Sequence, residues 1–248
     1  MMPGAASLIA RAYDARTVRT RIKHARAAIA IDPDALDAYV LLASSLDDDS
    51  PERLTLLREG AARGRSAWAR EVAHPDTCDF WLDHDTRPFM RLLHLLALEL
   101  WETGDTAGAI AEAEGLLRLN PNDNQGIREL LTDWYGAVGA WDALRALLAR
   151  YPDDWSTSHH YARWLLAFRD GQPTADALAD ALEVNPHVPR FLADLLARPD
   201  EEGRFAGFVT AGGADEAHDY AQSARPAWAK VPGAVERLVR DAATRSGS

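Results

Sequence analysis

The segment 116–131, LLRLNPNDNQGIRELL, places an Asn-Pro step between two runs whose apolar residues are spaced as on one face of a helix. Two further segments have the same form, ALEVNPHVPRFL at 181–192 and IAIDPDALDAYVLLA at 29–43. Proline lacks a backbone N–H and disfavours helical geometry in the residue before it. Each X-Pro step therefore predicts that one helix ends and another begins nearby.

Helical periodicity extends over nearly the whole chain. In the segment 127–138 the apolar residues fall at i, i+3, i+4, i+7, i+8 and i+11, which is typical of one buried helix face. Helix-breaking residues recur at intervals that leave room for helices of about 12–16 residues. They are Asp32-Pro33, Ser50-Pro51, Gly104, Asn120-Pro121, Gly139, Tyr151-Pro152, Gly171 and Asn185-Pro186. The sequence predicts an all-α fold built from helical hairpins.

A register of 34 residues aligns the segment from Met90 to about Val184 with itself. Small residues form one aligned set, large residues form three, and the fifth set contains two alanines and one leucine. The sets are Ala109/Ala143/Ala177, Leu93/Ile127/Tyr161, Leu96/Leu130/Trp164, Leu100/Trp134/Phe168 and Ala113/Leu147/Ala181. Thirty-four residues is the period of the tetratricopeptide repeat, so we expect a tetratricopeptide-like solenoid. Pro152 and Pro186 come three residues earlier in this register than Pro121, which predicts that the second helices of those two repeats are one turn shorter.

These patterns predict five segments along the chain. N-terminal helical hairpins are expected at 1–63, an insertion or linker at 64–88, and the tetratricopeptide-like repeats at 89–186. Capping helices are expected at 187–243, and a disordered tail at 244–248. The capping helices are predicted as a pair, near 213–224 and 226–243, that covers the otherwise exposed end of a solenoid.

Charge and composition exclude several classes of partner. The chain has 27 Lys and Arg against 38 Asp and Glu, a net charge of −11 that argues against nucleic acid and anionic membranes as partners. Cys78 is the single cysteine, so no internal disulfide is possible. The N-terminal segment lacks the apolar core of a signal peptide. We therefore expect a soluble cytoplasmic protein.

Several segments resemble bacterial tetratricopeptide-repeat proteins related to suppressor of tumorigenicity seven. The segments are HDTRPFMRLLHLLALELWETGD, RLNPNDNQGIRELL, RYPDD, YARWLLAFRDG, ALEVNPHVPRFL and, near the C-terminus, ADEAHDYAQSARPAWAKVPGAVERL. The resemblance covers roughly residues 80–238, with NPNDNQGIR and NPHVPRFL as its most specific parts. It implies a helical-repeat interaction protein and brings no catalytic residue with it.

In repeats of this type the first helix of each hairpin is expected to line a concave groove. The register places seven candidate partner-binding residues there: Arg91, His94, Trp101, Arg128, Tyr135, His159 and Arg169. Guanidinium groups bind carboxylates through two hydrogen bonds, and aromatic rings give apolar anchorage. The resulting hypothesis is a non-catalytic scaffold or adaptor that binds an acidic or C-terminal peptide segment of a partner protein in this groove. The alternative is that the arginines pair internally with Glu99, Glu129 or Asp133.

Two other functions remain open from the sequence. One is an obligate oligomer, with a homodimer interface formed by Trp68, Phe80 and Trp81 of the 64–88 insertion. The other is a metal-dependent hydrolase. His74, Cys78, His84 and Asp85 do not have the spacing of a common zinc site, so no metal or cofactor is expected. Nucleophile-elbow, phosphate-loop and His-Glu-x-x-His motifs are missing from the sequence, and the chain is not expected to be an enzyme.

Overall fold

A computed structural model describes residues 3–197 and 209–246. These residues form fourteen α-helices and a short 3-10 helix, Pro75–Thr77, and they contain no β-strand. The α-helices are α1 Ala5–Tyr13, α2 Val18–Ile31, α3 Leu36–Ala43, α4 Pro51–Ala67, α5 Ala69–Ala73, α6 Arg87–Glu102, α7 Thr106–Leu119, α8 Ile127–Val138, α9 Trp141–Arg150, α10 Thr157–Arg169, α11 Ala175–Val184, α12 Val188–Ala197, α13 Ala214–Ala229 and α14 Ala234–Ser246. The predicted all-α class is confirmed.

Every X-Pro step that the sequence singled out lies at a helix boundary. Helices α2, α7, α9 and α11 each end at the residue before the X-Pro step, and α4 begins at Pro51. The shortened second helices are also found. Helix α7 has 14 residues, whereas α9 and α11 have 10 each, a difference of about one turn.

Three successive pairs of helices are each connected through a glycine with a positive φ angle. Gly104 joins α6 to α7 with φ 87°, Gly139 joins α8 to α9 with φ 78°, and Gly171 joins α10 to α11 with φ 67°. The Cβ atom of other residues makes this left-handed conformation unfavourable, whereas glycine adopts it without a steric penalty. Two of the aligned sets, Leu93/Ile127/Tyr161 and Ala113/Leu147/Ala181, are buried in all three pairs of helices.

The chain divides into two compact units, Met1–Ile127 and Arg128–Ser248. This division falls inside the segment 89–186 that was predicted to hold the repeats. In the first unit α1 packs on α2, α3 on α4, and α6 on both α4 and α7. In the second unit α10 packs on α11 and α13, and α12 packs on α13 and α14.

The core of the first unit contains a close approach between α4 and α6. Gly64 of α4 faces Phe89 of α6, which is fully buried and packs against the ring of Phe80 with 6.4 Å between ring centroids. A Cβ atom added at Gly64 would lie 2.2 Å from Cδ2 of Phe89. Glycine is therefore the residue that allows the two helices to pack at this distance.

We expect Gly64→Ala to destabilise the first unit by about 1–3 kcal/mol, because the buried Phe89 ring has to move. Gly115→Ala in α7 is the control. There a Cβ atom would meet only Nη2 of Arg118, at 3.6 Å, so alanine should stabilise the helix by about 0.5–1 kcal/mol. Urea unfolding of both variants measures the two changes. Equal effects of the same sign would contradict the role given to Gly64.

The core of the second unit is aromatic. Trp164 of α10 stacks on Phe168 at 5.5 Å and on Trp228 of α13 at 5.6 Å. Trp228 donates a hydrogen bond from Nε1 to the hydroxyl of Tyr220 at 2.9 Å. The stacking of Trp164 on Trp228 packs α10 against the C-terminal helix α13.

The C-terminal helices differ from the predicted pair in three respects. Pro226 was expected to separate two helices, but it lies inside α13, which continues to Ala229. The predicted boundary was wrong, because the free energy gained by burying Trp228 in the core outweighs the loss of the backbone hydrogen bond that proline cannot form. Helix α12 precedes the pair and packs on both of its members. Helix α14 extends to Ser246, so residues 244–246 are helical, whereas 247–248 lie outside the described residues.

The 64–88 insertion begins within α4 and contains α5 and the 3-10 helix. Its proposed dimer interface is incomplete, because Phe80 is fully buried within the first unit. Trp68 and Trp81 are partly buried, and the guanidinium of Arg87 lies over the Trp81 ring at 5.3 Å. Phe80 is therefore a core residue and cannot contact a second copy in this conformation.

Candidate functional site

The loop between α9 and α10 in the second unit is held by local hydrogen bonds. The Asp154 N–H donates to the Tyr151 carbonyl at 3.2 Å, and the Ser156 N–H donates to Oδ1 of Asp154 at 2.8 Å. The Ser156 hydroxyl oxygen caps α10 by accepting from the N–H of His159. Trp155 lies between these residues, and 72% of its surface is exposed. This is the largest value among the exposed large hydrophobic residues in the described parts of the chain.

Arg128, one of the predicted binding residues, contacts this loop. Its guanidinium lies 3.4 Å from Oδ2 of Asp154 and 4.8 Å from the centroid of the Tyr151 ring. The Arg150 guanidinium lies over the same ring at 5.2 Å. Because the Asp154 side chain is only 7% exposed, it is a fixed counter-charge for Arg128. We call Arg128, Tyr151, Asp154 and Trp155 the α9–α10 corner.

His159 lies beneath this loop, although it was predicted to face a partner. It is 4% exposed, and burial lowers its pKa to about 4, against an opposing effect of Asp154. Its Nε2 atom has no hydrogen-bond partner among the described residues. The ring is therefore neutral at pH 7 and does not contact a partner in this conformation. Tyr135 is buried as well.

Arg169, at the end of α10, is exposed, but its positive charge is compensated by a neighbouring carboxylate. It lies 2.5 Å from Oδ1 of Asp170, and its guanidinium covers the ring of Trp141 at 5.0 Å. Arg145 also pairs with Asp170, at 2.7 Å. Hydrogen bonding from Arg145 is the main reason that the pKa of Asp170 is lowered.

The remaining predicted residues, Arg91, His94 and Trp101, lie in the first unit on α6. Arg91 pairs with Asp37 at 3.4 Å, and the hydroxyl of Tyr13 donates to the same carboxylate at 3.0 Å. Burial lowers the pKa of His94, against the opposing charge of Asp123. Trp101 is partly buried.

Each of the three predicted arginines thus forms an ion pair with an aspartate. The alternative stated from the sequence was also internal pairing, but with Glu99, Glu129 or Asp133. Glu99 pairs instead with Arg53 at 3.0 Å, and Asp133 accepts a hydrogen bond from the hydroxyl of Ser158 at 3.0 Å. Each arginine already has an internal counter-charge. A concave groove that joins all seven residues stays a prediction, since three lie in the first unit and four in the second.

Sequence reasoning missed Trp155. Its signal was the run PDDWS at 152–156, where a large apolar residue stands among residues that cap and begin helices. A tryptophan in such a place lies outside the apolar face of either helix, which favours exposure. The structure describes no group of three or more His, Cys, Asp or Glu side chains arranged to hold a metal ion, over 3–197 and 209–246.

Comparison with known proteins gives a distant similarity. No protein-family model matches the chain. Proteins named "Suppressor of tumorigenicity 7 protein-like" from Rattus norvegicus and Mus musculus are 26% identical to it over 259 residues. The alignment covers 94% of this chain, more than the residues 80–238 in which the motifs were recognised, and 45% of each relative. The protein of the same name from Bos taurus is also 26% identical.

The chain spans about half the length of these curated relatives. The predicted resemblance is confirmed at this level, as similarity over most of the chain. Within the described residues, none of the helices combines the length and the apolar character that crossing a membrane requires.

Proposed function

We propose that this chain is a non-catalytic protein-binding module, in which tetratricopeptide-like hairpins stack as a solenoid. The C-terminal helices cover the end of the stack in this proposal. Three successive hairpins with glycine turns, and with two aligned sets of residues that are buried throughout, support it. The similarity to suppressor of tumorigenicity 7-like proteins is consistent with it but assigns no molecular function.

The observation that carries the proposal is the exposure of Trp155. Tryptophan is enriched among the residues that dominate binding energy at protein interfaces, because it brings a large rigid apolar surface. Trp155 is 72% exposed in a loop whose neighbours are fixed by hydrogen bonds. Little ordering of the loop backbone is then required when a partner binds, which favours affinity.

The charges of the α9–α10 corner define how an acidic partner segment would bind. A partner carboxylate that displaced Asp154 from Arg128 would leave a nearly buried aspartate without its counter-charge, at a cost of several kcal/mol. The partner's acidic residues therefore add to the existing pair and do not replace Asp154. We infer that Trp155 supplies most of the affinity, while acidic residues of the partner act on orientation and association rate.

An aromatic photo-crosslinking residue at position 155, such as benzoylphenylalanine, keeps a large apolar ring in the place of Trp155 and tests this proposal in cells that express the full chain. We expect it to capture a defined partner, whereas the same residue at Leu82 should not, although Leu82 is 68% exposed. With the identified partner, Trp155→Ala should weaken binding at least about 30-fold, as expected for an interface residue worth about 2 kcal/mol or more.

The outcomes of the crosslinking experiment separate the alternatives. Identical sets of captured proteins at positions 155 and 82 would contradict a binding site at the α9–α10 corner. Capture of a second copy of this chain at position 155 would favour the homodimer. A partner that binds Trp155→Ala as tightly as the unmodified chain would remove Trp155 from the interface.

A further inference from the structure

A cavity of about 170 Å³ lies in the first unit among α4, α5, α6 and α7. The apolar part of its lining consists of the buried side chains of Phe89, Leu93 and Leu119 and the partly buried Val72. A cavity of about 150 Å³ in another protein is large enough to hold benzene. The space therefore accommodates one aromatic ring or a branched aliphatic group.

Charged side chains complete the lining of this cavity. They are Arg65, Glu112 and Arg118. Arg65 and Glu112 form an ion pair, whereas Arg118 is exposed and forms no ion pair within the described residues. The three groups together carry one net positive charge, which suits a monoanion. A dianionic phosphate would meet the carboxylate of Glu112.

Gly115 provides a second, independent observation. It lies inside α7, where glycine is less favourable than alanine. Packing does not require it, because an added Cβ atom would meet only the tip of Arg118, at 3.6 Å. Gly64, by contrast, is required by the nearby Phe89 ring. What the missing side chain at Gly115 does provide is open space in the wall of the cavity.

We propose that this cavity binds a carboxylate that carries a single aromatic or branched aliphatic group. The guanidinium of Arg118 donates two parallel N–H hydrogen bonds to the carboxylate, and the apolar group enters between Phe89, Leu93 and Leu119. Such a group occurs both in free aryl-alkanoic acids and at the C-terminus of a peptide that ends in Phe or Leu. The site is in the first unit and does not depend on Trp155.

Binding is tested by calorimetry and NMR titration of the full chain with four probes. They are 3-phenylpropionate, its neutral amide, the peptide acetyl-Gly-Gly-Phe with a free carboxylate, and the same peptide as an amide. We expect at least one carboxylate to bind with a dissociation constant at or below about 1 mM and its amide to bind at least tenfold more weakly. Binding of the peptide alone identifies a C-terminus as the source, and binding of 3-phenylpropionate alone identifies a small acid.

Two variants at the site and two control variants separate specific binding from general electrostatics. Arg118→Gln should weaken carboxylate binding at least tenfold, and Gly115→Leu should abolish it by filling the cavity while leaving a helix-favouring residue in α7. Arg58→Gln is the charge-matched control in the same unit and should bind as the unmodified chain does, as should Trp155→Ala. Absence of binding by all four probes, or binding that is indifferent to both Arg118→Gln and Gly115→Leu, would overturn the proposal.

Discussion

Replacement of Trp164 by alanine is expected to destabilise the second unit by about 3–5 kcal/mol. The same replacement at Trp155, nine residues earlier, is expected to cost less than about 0.5 kcal/mol. Trp164 is fully buried, whereas Trp155 is 72% exposed. The chemical change is identical at the two positions, so the difference measures burial and packing alone.

The large cost at Trp164 has two sources. Alanine leaves a cavity the size of an indole, and it removes stacking on Phe168 and on Trp228, whose planes lie at 3° and 16° to that of Trp164. Part of this cost is offset, because the buried Nε1 of Trp164 has no hydrogen-bond partner among the described residues. We therefore expect Trp164→Phe, which keeps one ring and removes that donor, to cost less than half as much.

Urea unfolding measures the change in the free energy of unfolding for each variant, and amide hydrogen exchange in α10 measures the same change within that helix. Since a loss of 5 kcal/mol approaches the whole stability of many domains, Trp164→Phe keeps the effect measurable if Trp164→Ala does not fold. A cost for Trp155→Ala that equals the cost for Trp164→Ala would contradict the packing described for α10. A folded Trp155→Ala variant is also the reagent that the binding experiment requires.

Local covalent constraints were predictable from the sequence. The X-Pro steps and the lengths of α9 and α11 follow from proline's missing N–H, which acts regardless of the rest of the fold. Pro226 shows the limit of this reasoning, because α13 continues through it to place Trp228 against Trp164 of α10, a contact between residues distant in sequence. Local signals therefore predict boundaries well where no tertiary contact opposes them.

The candidate site was less predictable because it depends on contacts between residues distant in sequence. Arg91 pairs with Asp37, 54 residues earlier in the chain, and no local pattern indicates that pair. Burial of Tyr135 and His159 was missed for a similar reason, since the register places a residue on a helix face but does not say what covers that face. Trp155 and Gly115 did have local signals. Each is a residue type that is unusual for its position in the helical pattern.

The second large effect is a pair of opposite pH dependences in the second unit. Burial raises the pKa of Asp133 to about 6, although hydrogen bonds from Ser158 and Ser223 act in the other direction. A carboxyl group whose pKa is raised on folding takes up a proton when the chain folds. It therefore destabilises the fold above pH 6, by up to about 3 kcal/mol, and this penalty disappears as the pH falls towards 4.

His159 has the reverse effect. Burial lowers its pKa from 6.5 to about 4, so the folded protein keeps the ring neutral where the unfolded chain protonates it. The neutral ring contributes no penalty above pH 6.5. Stability is lost as the pH falls from 6.5 through 4, again by up to about 3 kcal/mol. As the pH falls from 6 to 4, the contribution of Asp133 to the free energy of unfolding therefore rises, whereas the contribution of His159 falls.

Single variants should reveal the two opposing effects as differences from the unmodified chain. The stability of Asp133→Asn relative to the unmodified chain should fall by about 2–3 kcal/mol between pH 6.5 and pH 4, because the variant has no buried carboxyl group to protonate. The relative stability of His159→Gln should rise by a similar amount. In the double variant the two differences should nearly cancel. Urea unfolding at four pH values measures all three variants, and trends of the same sign for Asp133→Asn and His159→Gln would show that burial does not control both groups.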